Sequence, residues 1–445
     1  MPLDQEQVNR IFLPATYAEG VPYPLLRELR SATPVRWVEE PAVGDWPAGP
    51  GYWAVLRHAD VRHVLRTPAT YSSHLGATQI RDPDTAAELA FARTMMLNQD
   101  PPDHVRLRRI VVAAFTPRAV RELTTGIEER AAALVRAARP LLAAGPLDLV
   151  RLAADLPVWT LARVMGVPDQ DRKLLAGWAD RVIGYQDSDH AEAAADTSGL
   201  SALGRAAVAV RPRPEDLIRP DGRPVNPRSR AALADMFAYA HGLARRPAPG
   251  SVLARMVDGG LTEQEFETTF FLFAVAGNET LRNGVPGGLH TLLAHPEEYR
   301  RLRADPSRTP AVVEEMLRYW PPVIDFRRTV THDVELGGQR LRRGDKVVVY
   351  HAAANRDPAV FADPDRFDPD RFDPGRSGSG RSGHEHVSFG DGPHFCLGAQ
   401  LARVQMRAMV REVATGLPEL EPAGEPVRLV SNFQNGLKSL PVRVR

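Results

Sequence analysis

The sequence predicts a mainly α-helical protein with small β-sheets, folded as a single domain. Apolar residues at helical spacing recur along most of the 445-residue chain, whereas strand patterns are few and short. The hydrophobic fraction of 43% is enough for a sizeable core, and no linker separates two apolar halves. We therefore expect residues 1–445 to form one domain.

The predicted helices are spread along the chain, and the short strands lie between them. A strand pattern at 52–56 precedes a helix at 59–65, and a loop at 95–102 leads into a helix at 103–114. Further helices are predicted at 119–142, 147–165, 169–183, 261–295, 311–319 and 399–406. Strands at 334–336 and 346–350 supply the sheets.

The predicted helix at 261–295 is the longest one. Its centre, from Phe270 to Ala276, is apolar all round, which indicates burial on every side. The apolar run is too short to span a bilayer. Pro286 falls inside the pattern, so we expect a kink or an early stop there.

Composition narrows the function classes. A formal net charge of +1 favours neither nucleic acid nor a membrane surface as a partner. A single cysteine excludes an intrachain disulfide framework and fits a reducing compartment. The opening residues, MPLDQEQVNRIFLP, show no signal pattern and no membrane span. We therefore expect a cytoplasmic protein, and a monomer.

The stretch 188–230 differs from the rest of the chain because it is dense in proline, as in RPRP at 211–214 and RPDGRP at 219–224. Proline at this density blocks a continuous helix. A loop of this length inside a domain is usually a functional lid or a solvated insertion. We favour a lid, and the solvated insertion stays open.

The one cysteine, Cys396, lies in the glycine-rich loop FGDGPHFCLG at 389–398, directly before a predicted helix. The helix dipole and the free N–H groups of a first turn stabilise a thiolate. Gly392 and Gly398 allow a flat cofactor to approach the backbone, and such a thiolate is suited to be an axial haem ligand. The alternative is a buried, inert cysteine. The spacing Phe-x-x-Gly-x-x-x-Cys-x-Gly resembles the haem-binding loop of the cytochrome P450 family, which favours ligation.

The long helix carries the sequence Ala276-Gly277-Asn278-Glu279-Thr280. Thr280 can donate a hydrogen bond to the carbonyl of Ala276, one turn earlier, and Gly277 allows another group to come close. Alone, this pattern is equally typical of a packing glycine beside a solvent-facing pair. It resembles the acid–alcohol pair of the cytochrome P450 family, which implies that Glu279 and Thr280 deliver protons to iron-bound dioxygen.

The resemblance extends from Trp53 to Val442 and implies further haem contacts. Haem has two propionates, which need cationic partners. The residues that match the family's propionate partners are His104, Arg108, Arg328 and His394. Phe389, Ala276, Gly277 and Gly398 are the other expected cofactor contacts, and ordinary surface bases are the alternative for each cation.

Glu315 and Arg318 resemble the family's Glu-x-x-Arg element, and Arg371 would be its third member. Spaced three apart, the first two share a helix face. Such a pair is usually a weak surface salt bridge. The resemblance implies instead a structural lock that holds the Cys396 loop.

The resemblance implies a single triangular α-rich domain with haem b between the long helix and the Cys396 loop. It implies a monooxygenase that inserts one atom of O₂ into a C–H bond of a terpenoid, steroid or polyketide-like natural product. Electrons would come from NAD(P)H through a ferredoxin reductase and a ferredoxin, which would dock near Arg109, Arg403 and Arg407. Ring closure, coupling or desaturation on the same scaffold, and a non-catalytic haem protein, are the alternatives.

The substrate pocket should be mostly apolar. The residues expected to line it are Met96, Leu97, Leu272, Val275, Ala276, Ile324, Phe326, Phe433 and Gln434. Gln434 is expected to bond a substrate oxygen, with a backbone-satisfied turn residue as the alternative. Leu281 stands where many family members have a second threonine, which makes the pocket drier.

Overall fold

The computed structural model describes residues 3–44, 46–183, 187, 198–373 and 385–445. Helices dominate, as the sequence predicts. The helices are α1 Gln5–Asn9, α2 Tyr23–Ala32, α3 His58–Arg66, α4 Ala86–Arg93, α5 Asp103–Val111, α6 Pro117–Ala144, α7 Leu149–Met165, α8 Arg172–Ile183, α9 Ala202–Ala209, α10 Ala234–Ala244, α11 Val252–Asp258, α12 Glu263–Leu293, α13 Pro296–Ala304, α14 Thr309–Tyr319, α15 His351–Ala354 and α16 Ala399–Gly416. In this described part of the chain, none of the helices is long and apolar enough to cross a membrane.

The strands form small sheets. They are β1 Val35–Val38, β2 Tyr52–Val55, β3 Tyr71–Ser72, β4 Leu147–Asp148, β5 Asp325–Val330, β6 Val334–Leu336, β7 Gln339–Leu341, β8 Lys346–Tyr350, β9 Leu420–Pro422, β10 Val427–Arg428, β11 Leu437–Ser439 and β12 Pro441–Val444. The largest sheet has the order β1-β2-β8-β5-β3, with β2 and β8 parallel and its other neighbours antiparallel. A second sheet, β4-β12-β9, joins the C-terminal strand to the start of α7.

Helix α12 is the central element of the fold, and its start is fixed locally. Thr262 accepts a hydrogen bond from the N–H of Glu265, and the Glu265 side chain accepts one from the N–H of Thr262. This capping box satisfies two free donors of the first turn. The expected stop at Pro286 is wrong, because the helix continues to Leu293. Val285 and Leu289 are buried on either side of the proline, so packing holds the helix together despite the missing N–H.

Two further boundaries differ from the prediction. Helix α7 begins at Leu149 rather than at 147, because Leu147 and Asp148 pair with β12 and Asp148 caps the helix through the N–H of Val150. In the stretch 188–230, residues 188–197 lie outside the described part of the chain. The described remainder contains helix α9, and the turn that follows it joins Ile218 to Pro224.

The core that positions the site is the packing of α12 against its neighbours. Helices α7, α8, α14 and α16 all contact it, and α16 also packs along α6. Phe270 and Ala274 of α12 are fully buried, but Leu272 and Val275 are half-buried and Ala276 is exposed, because these three line a cavity, so the predicted burial on every side holds for only part of the segment. The Cys396 loop immediately precedes α16, so this packing fixes the loop opposite the middle of α12.

Candidate functional site

The loop that carries Cys396 is held by short backbone contacts. The N–H of Cys396 donates to the carbonyl of Phe389 at 2.9 Å, which closes the loop. Gly392 has a φ of +68°, and a Cβ there would meet the backbone oxygen of Leu65 in α3 at 2.5 Å. Asp391 accepts hydrogen bonds from Arg62 of the same helix at 2.6 Å and from the N–H of Gly392. Only glycine fits at position 392, and the loop is thereby attached to α3.

The Cys396 side chain opens into a cavity of about 260 Å³ between α12 and the loop. Burial within the protein raises the pKa of this thiol, while the N–H of Gly398 and the guanidinium groups of Arg108 and Arg403 lower it. The N–H group at the helix start therefore favours the thiolate, as the sequence predicts, but desolvation outweighs this effect. Bonding to a metal ion would reverse the balance, because a coordinated thiol loses its proton.

A cluster of basic side chains lines the same cavity, and we call it the basic cluster. Its members are His104, Arg108, Arg328 and His394. Burial lowers the pKa of His104 to about 4, with Arg108 adding to the effect, and burial with repulsion from Arg328 lowers the pKa of His394 to about 2. Burial also lowers the pKa of Arg328 to about 10. The two imidazole rings lie 4.1 Å apart, centroid to centroid.

The basic cluster fits the carboxylates of a haem. The buried Nδ1 of His104 has no hydrogen-bond partner among the described residues. Arg108 donates to the carbonyl of Phe395 at 2.7 Å, and Arg328 donates to the carbonyl of Arg327 at the same distance. Each guanidinium therefore keeps further donors for an anion. Two propionates would supply the negative charge that these groups lack, and Cys396 would supply a ligand to the iron.

The opposite wall of the cavity is the middle of α12. Ala276, Gly277 and Thr280 line it. Thr280 Oγ1 donates to the carbonyl of Ala276 at 2.9 Å, which is the hydrogen bond that the sequence predicts. A Cβ at Gly277 would meet Leu161 of α7 at 2.9 Å, so this glycine also permits close helix packing. Phe389 and Gly398 line the side formed by the Cys396 loop.

Glu279 points away from both the cavity and solvent. It is only 1% exposed, does not line the cavity, and accepts a hydrogen bond from Arg282 at 3.1 Å. Arg282 also pairs with Asp180 of α8. Burial raises the pKa of Glu279 to about 7, with Arg282 lowering it and Asp180 raising it. Glu279 can therefore hold or release a proton near neutral pH.

A second cavity of about 190 Å³ adjoins the first, and we call it the substrate cavity. Leu97, Leu272, Ala276, Thr280, Val323 and Phe326 line both cavities. Of the residues predicted to contact substrate, those that line the substrate cavity are Leu97, Leu272, Val275, Ala276, Phe326, Phe433 and Gln434. Met96 instead lines the cavity at Cys396.

Ile324 is a correction to the predicted substrate set. It is fully buried in a separate core cluster with Phe12 and Tyr350, and it lines neither cavity. Its main chain pairs with Phe433 and Ala352, which fixes it away from the cavity. Gln434 does line the cavity, but its Oε1 already accepts a hydrogen bond from Asn283 of α12 at 2.8 Å.

The Glu315–Arg318 pair is buried rather than on the surface. Both side chains are 0% exposed, and they share two hydrogen bonds of 2.6 Å. Arg318 also donates to the carbonyls of Asn355 and Pro364. Arg371 Nε lies 3.5 Å from Glu315, so the predicted third member is in place.

Arg403 is a correction to the predicted docking surface. It is buried and donates to Glu314 at 2.7 Å, in a group that also contains His386 and Arg407. Burial favours the neutral acid, but the bonds from His386 and Arg403 prevail and hold the pKa of Glu314 at about 2. Arg109 is exposed, and Arg407 is partly exposed. Sequence reasoning missed this pairing, since nothing local connects residues 314 and 403.

Sequence reasoning also missed part of the substrate cavity wall. Asn226 to Ser229, which line this cavity, belong to the stretch predicted as a lid, but the segment from Ala77 to Pro83 and helix α4 were not predicted to contribute. These segments have mixed polar and apolar residues without a regular period, so no sequence signal assigns them to a cavity.

Comparison with known proteins agrees with this arrangement. The sequence model of the family described as Cytochrome P450 matches residues 250–413. A steroid C26-monooxygenase of Rhodococcus jostii (strain RHA1) is 32% identical over 441 residues, covering 96% of this chain and 83% of that protein. A methyl-branched lipid omega-hydroxylase of Mycobacterium tuberculosis (strain ATCC 25618 / H37Rv) is 34% identical over 428 residues, covering 93% of this chain and 89% of that protein.

Among solved structures, a cytochrome P450 of Mycobacterium marinum in complex with pseudoionone superposes with a TM-score of 0.75. It is 33% identical and covers 95% of this chain and 94% of its own. A cytochrome P450-153 from Novosphingobium aromaticivorans, 28% identical, gives the same TM-score over 98% of this chain and 99% of its own.

Proposed function

The chain belongs to the cytochrome P450 family and is a P450 monooxygenase, and from this premise we propose that it hydroxylates an aliphatic C–H bond of a terpenoid, steroid or polyketide-like molecule. The observation that carries the proposal is the position of Cys396. Cys396 and Thr280 line the same cavity, and this cavity shares part of its wall with the apolar substrate cavity. A role in natural product biosynthesis is part of the same proposal.

We propose that haem b binds between α12 and the Cys396 loop. Cys396 would supply the thiolate ligand to its iron, the basic cluster would hold its propionates, and Phe389 and Gly398 would be further contacts. When bound, the haem supplies the activation of O₂ that hydroxylation of an unreactive C–H bond requires. The protein contributes the thiolate, the counter-charges and a cavity that excludes water.

Thr280 and Glu279 are proposed to handle protons. The Thr280 hydroxyl is directed to the carbonyl of Ala276, and its oxygen is thereby free to accept a hydrogen bond on the cavity side. Glu279 holds a proton close to neutral pH, one residue away. Because its carboxyl faces Arg282, delivery of this proton requires the side chain to leave that partner.

The substrate is proposed to be largely hydrocarbon. Phe271, Leu272, Val275, Phe326 and Phe433 supply much of the substrate cavity wall. Such a wall binds by burial of apolar surface and orients the ligand with few polar groups. Relatives named for hydroxylation of a steroid and of a methyl-branched lipid support this class.

The electron donor is proposed to be a ferredoxin, reduced by NAD(P)H through a ferredoxin reductase. Arg109, which is exposed, gives the face behind Cys396 positive charge for an acidic partner, and Arg407 adds to it because its side chain is partly exposed although it also lies 3.4 Å from Glu314. Arg403 is no longer part of this proposal, because Glu314 pairs with it inside the protein.

The stretch 188–230 is proposed to be a lid on the substrate cavity. Its residues Asn226 to Ser229 line that cavity. Arg219 joins it to the opposite rim, with its guanidinium 2.9 Å from Asp84 and 2.8 Å from Glu88 of α4. All three side chains are mostly buried, so this bridge is well placed to keep the cavity closed.

The test of the haem proposal is the absorption spectrum of the reduced, CO-bound protein, for the wild type and for Cys396→Ser. We expect a strongly red-shifted Soret band in the wild type and its loss in the variant. A wild-type band at the position of histidine-ligated haem would refute thiolate ligation.

The test of the proton proposal is the fraction of consumed NADPH that appears as hydroxylated product. Thr280→Ala should lower this fraction severalfold, whereas Thr280→Ser, which keeps the hydroxyl, should retain most of it. A Thr280→Ala variant with wild-type coupling would contradict the assigned role.

A further inference from the structure

Asp325 is an acid buried inside the protein without a hydrogen-bond partner. It is the first residue of β5, is 0% exposed, and neither of its carboxyl oxygens has a hydrogen-bond partner in the described part of the protein. Buried polar groups are nearly always hydrogen-bonded, so such a group is costly. Burial raises its pKa well above the usual value, which favours the neutral acid.

Asp325 lines a cavity of about 400 Å³, which we call the side cavity. Phe12, Ile80, Val430 and Phe433 give it a largely apolar wall. Its size exceeds that of a single buried water by about tenfold, since one water needs roughly 30 Å³. A ligand fragment of several carbon atoms therefore fits.

The side cavity and the substrate cavity share part of their walls. Trp46, Gln79, Arg81 and Phe433 line both. Phe326, the next residue of β5, lines the substrate cavity, and successive side chains of a strand point to opposite faces. Asp325 and Phe326 therefore stand on the two sides of the strand, and Phe433, whose ring lies 5.6 Å from that of Phe326, lines both cavities.

On the basis of the proposed hydroxylation, we propose that the side cavity is a subsite for a hydroxyl group of the substrate, with Asp325 as its hydrogen-bond partner. The hydroxyl would lie at the end of the molecule remote from the oxidised carbon. Binding requires the Asp325 carboxyl to turn toward the cavity, because its oxygens are buried behind the wall.

The chemistry of the walls favours an alcohol over a charged group. A neutral carboxylic acid donates one hydrogen bond and accepts others, which matches a hydroxyl in both respects. An ammonium group would have to lie near the guanidinium of Arg81, which stacks 5.1 Å from the Phe12 ring in the same wall. A carboxylate would be attracted by Arg81 but would have to lie beside the Asp325 carboxyl, where an uncharged hydroxyl can both donate and accept hydrogen bonds.

The first experiment uses haem-loaded protein and cyclohexanol, a probe small enough for the side cavity. The carbonyl-stretch band of the Asp325 acid is assigned as the infrared difference between wild type and Asp325→Asn. We expect cyclohexanol to shift this band and methylcyclohexane, its hydrocarbon counterpart, to leave it unchanged. If the band does not shift at saturating cyclohexanol, as expected when water alone occupies the cavity, the proposal is overturned. An equal shift with both probes also overturns it.

The second experiment uses cholesterol and cholest-5-ene, which differ only in the hydroxyl group. Soret-shift titrations should show about tenfold tighter binding of the alcohol by the wild type, since a site built for a hydroxyl discriminates against its absence. The preference should disappear in Asp325→Leu and persist in part in Asp325→Asn. Equal affinities in the wild type overturn the subsite.

The outcomes separate the subsite from the proposed function. If both sterols are bound equally and oxidised, the subsite fails and the hydroxylase stands. If neither sterol is bound or oxidised, sterols are excluded as substrates, and the infrared shift with cyclohexanol still decides the role of Asp325.

Discussion

Replacing Gly392 with alanine should displace the loop that carries Cys396. The φ of +68° at Gly392 lies in the left-handed region, which disfavours any residue with a Cβ. In addition, that Cβ would stand 2.5 Å from the carbonyl oxygen of Leu65 and 3.0 Å from the Cα of Arg66. Both atoms belong to the backbone of α3, so neither can move aside as a flexible side chain would.

The expected loss of stability has two parts. The left-handed backbone conformation costs an alanine roughly 1–2 kcal/mol. Overpacking against a rigid neighbour costs roughly 1–3 kcal/mol more. We therefore expect Gly392→Ala to lower the free energy of unfolding by about 2–5 kcal/mol.

Gly260→Ala is the matched control. Gly260 has a nearly identical φ of +66° and is exposed, and a Cβ added there would meet no neighbouring atom within 4 Å. The free energy of unfolding of Gly260→Ala should therefore fall only by the cost of the left-handed backbone conformation, roughly 1–2 kcal/mol. The difference between the two variants isolates the contact with α3.

The assay combines urea unfolding of the haem-loaded protein with the CO difference spectrum. Gly392→Ala should unfold at a clearly lower urea concentration than Gly260→Ala and should show a reduced fraction of thiolate-ligated haem. The control should keep a wild-type spectrum. Equal unfolding midpoints, or a normal spectrum for Gly392→Ala, would refute the argument that the loop depends on its contact with α3.

Three further predictions concern the other charged groups. Arg282 lowers the pKa of Glu279 and Asp180 raises it. The change in coupled turnover near pH 7 should therefore occur at higher pH in Arg282→Gln and at lower pH in Asp180→Asn. Unchanged pH profiles would contradict the role of Glu279 as the proton source. Arg318→Met removes both 2.6 Å hydrogen bonds to the fully buried carboxylate of Glu315 and leaves it the N–H of Asp368 and the more distant Arg371, so it should cost about 3–5 kcal/mol in urea unfolding; a loss below about 1 kcal/mol would show that Arg318 contributes little to stability. Arg219→Ala should raise the dissociation rate of a bound ligand severalfold in stopped-flow measurements, because it removes the bridge to Asp84 and Glu88. An unchanged rate would contradict the proposal that this bridge keeps the substrate cavity closed.

The sign of the Glu279 effect also fixes how stability depends on pH. Its pKa in the folded protein, about 7, lies above its usual value of 4.5. The folded state thus binds more protons than the unfolded state between these values, and this group makes stability fall as the pH rises through that window. Replacing Glu279 with glutamine should weaken this dependence.

Most of the site was predictable because it is local in sequence. The Cys396 loop is ten residues long, and the α12 pattern lies within five residues. The residues of the basic cluster lie on three separate segments of the chain, and only the family resemblance predicted that they would lie together. The five-stranded sheet could not be predicted, since β3 pairs with β5 across more than 250 residues and short strands carry little pattern.

The errors have a common origin in tertiary packing. Proline density at 211–224 concealed helix α9, which forms because Ser201 caps it through the N–H of Gly204 and is itself bonded to Asp171. Ile324 was expected to line the substrate pocket with Phe326, but it packs instead against residues of the N-terminal segment, which no local pattern connects to it. Pro286 was misjudged for the same reason, because burial on both sides maintains the helix.

The titration behaviour of the cavity at Cys396 is itself an argument for its ligand. In the protein alone, burial makes the thiol harder to ionise and the imidazoles of His104 and His394 harder to protonate. These shifts have opposite chemical demands, since the thiol requires a cation and the imidazoles, with the nearby guanidinium groups, require anions. A neutral apolar ligand would satisfy neither. A planar group with a metal ion at its centre and carboxylates at one edge satisfies both, and the thiol and the basic cluster occupy one cavity as this requires. The thiol and the basic cluster thus fit the haem that the cytochrome P450 family implies.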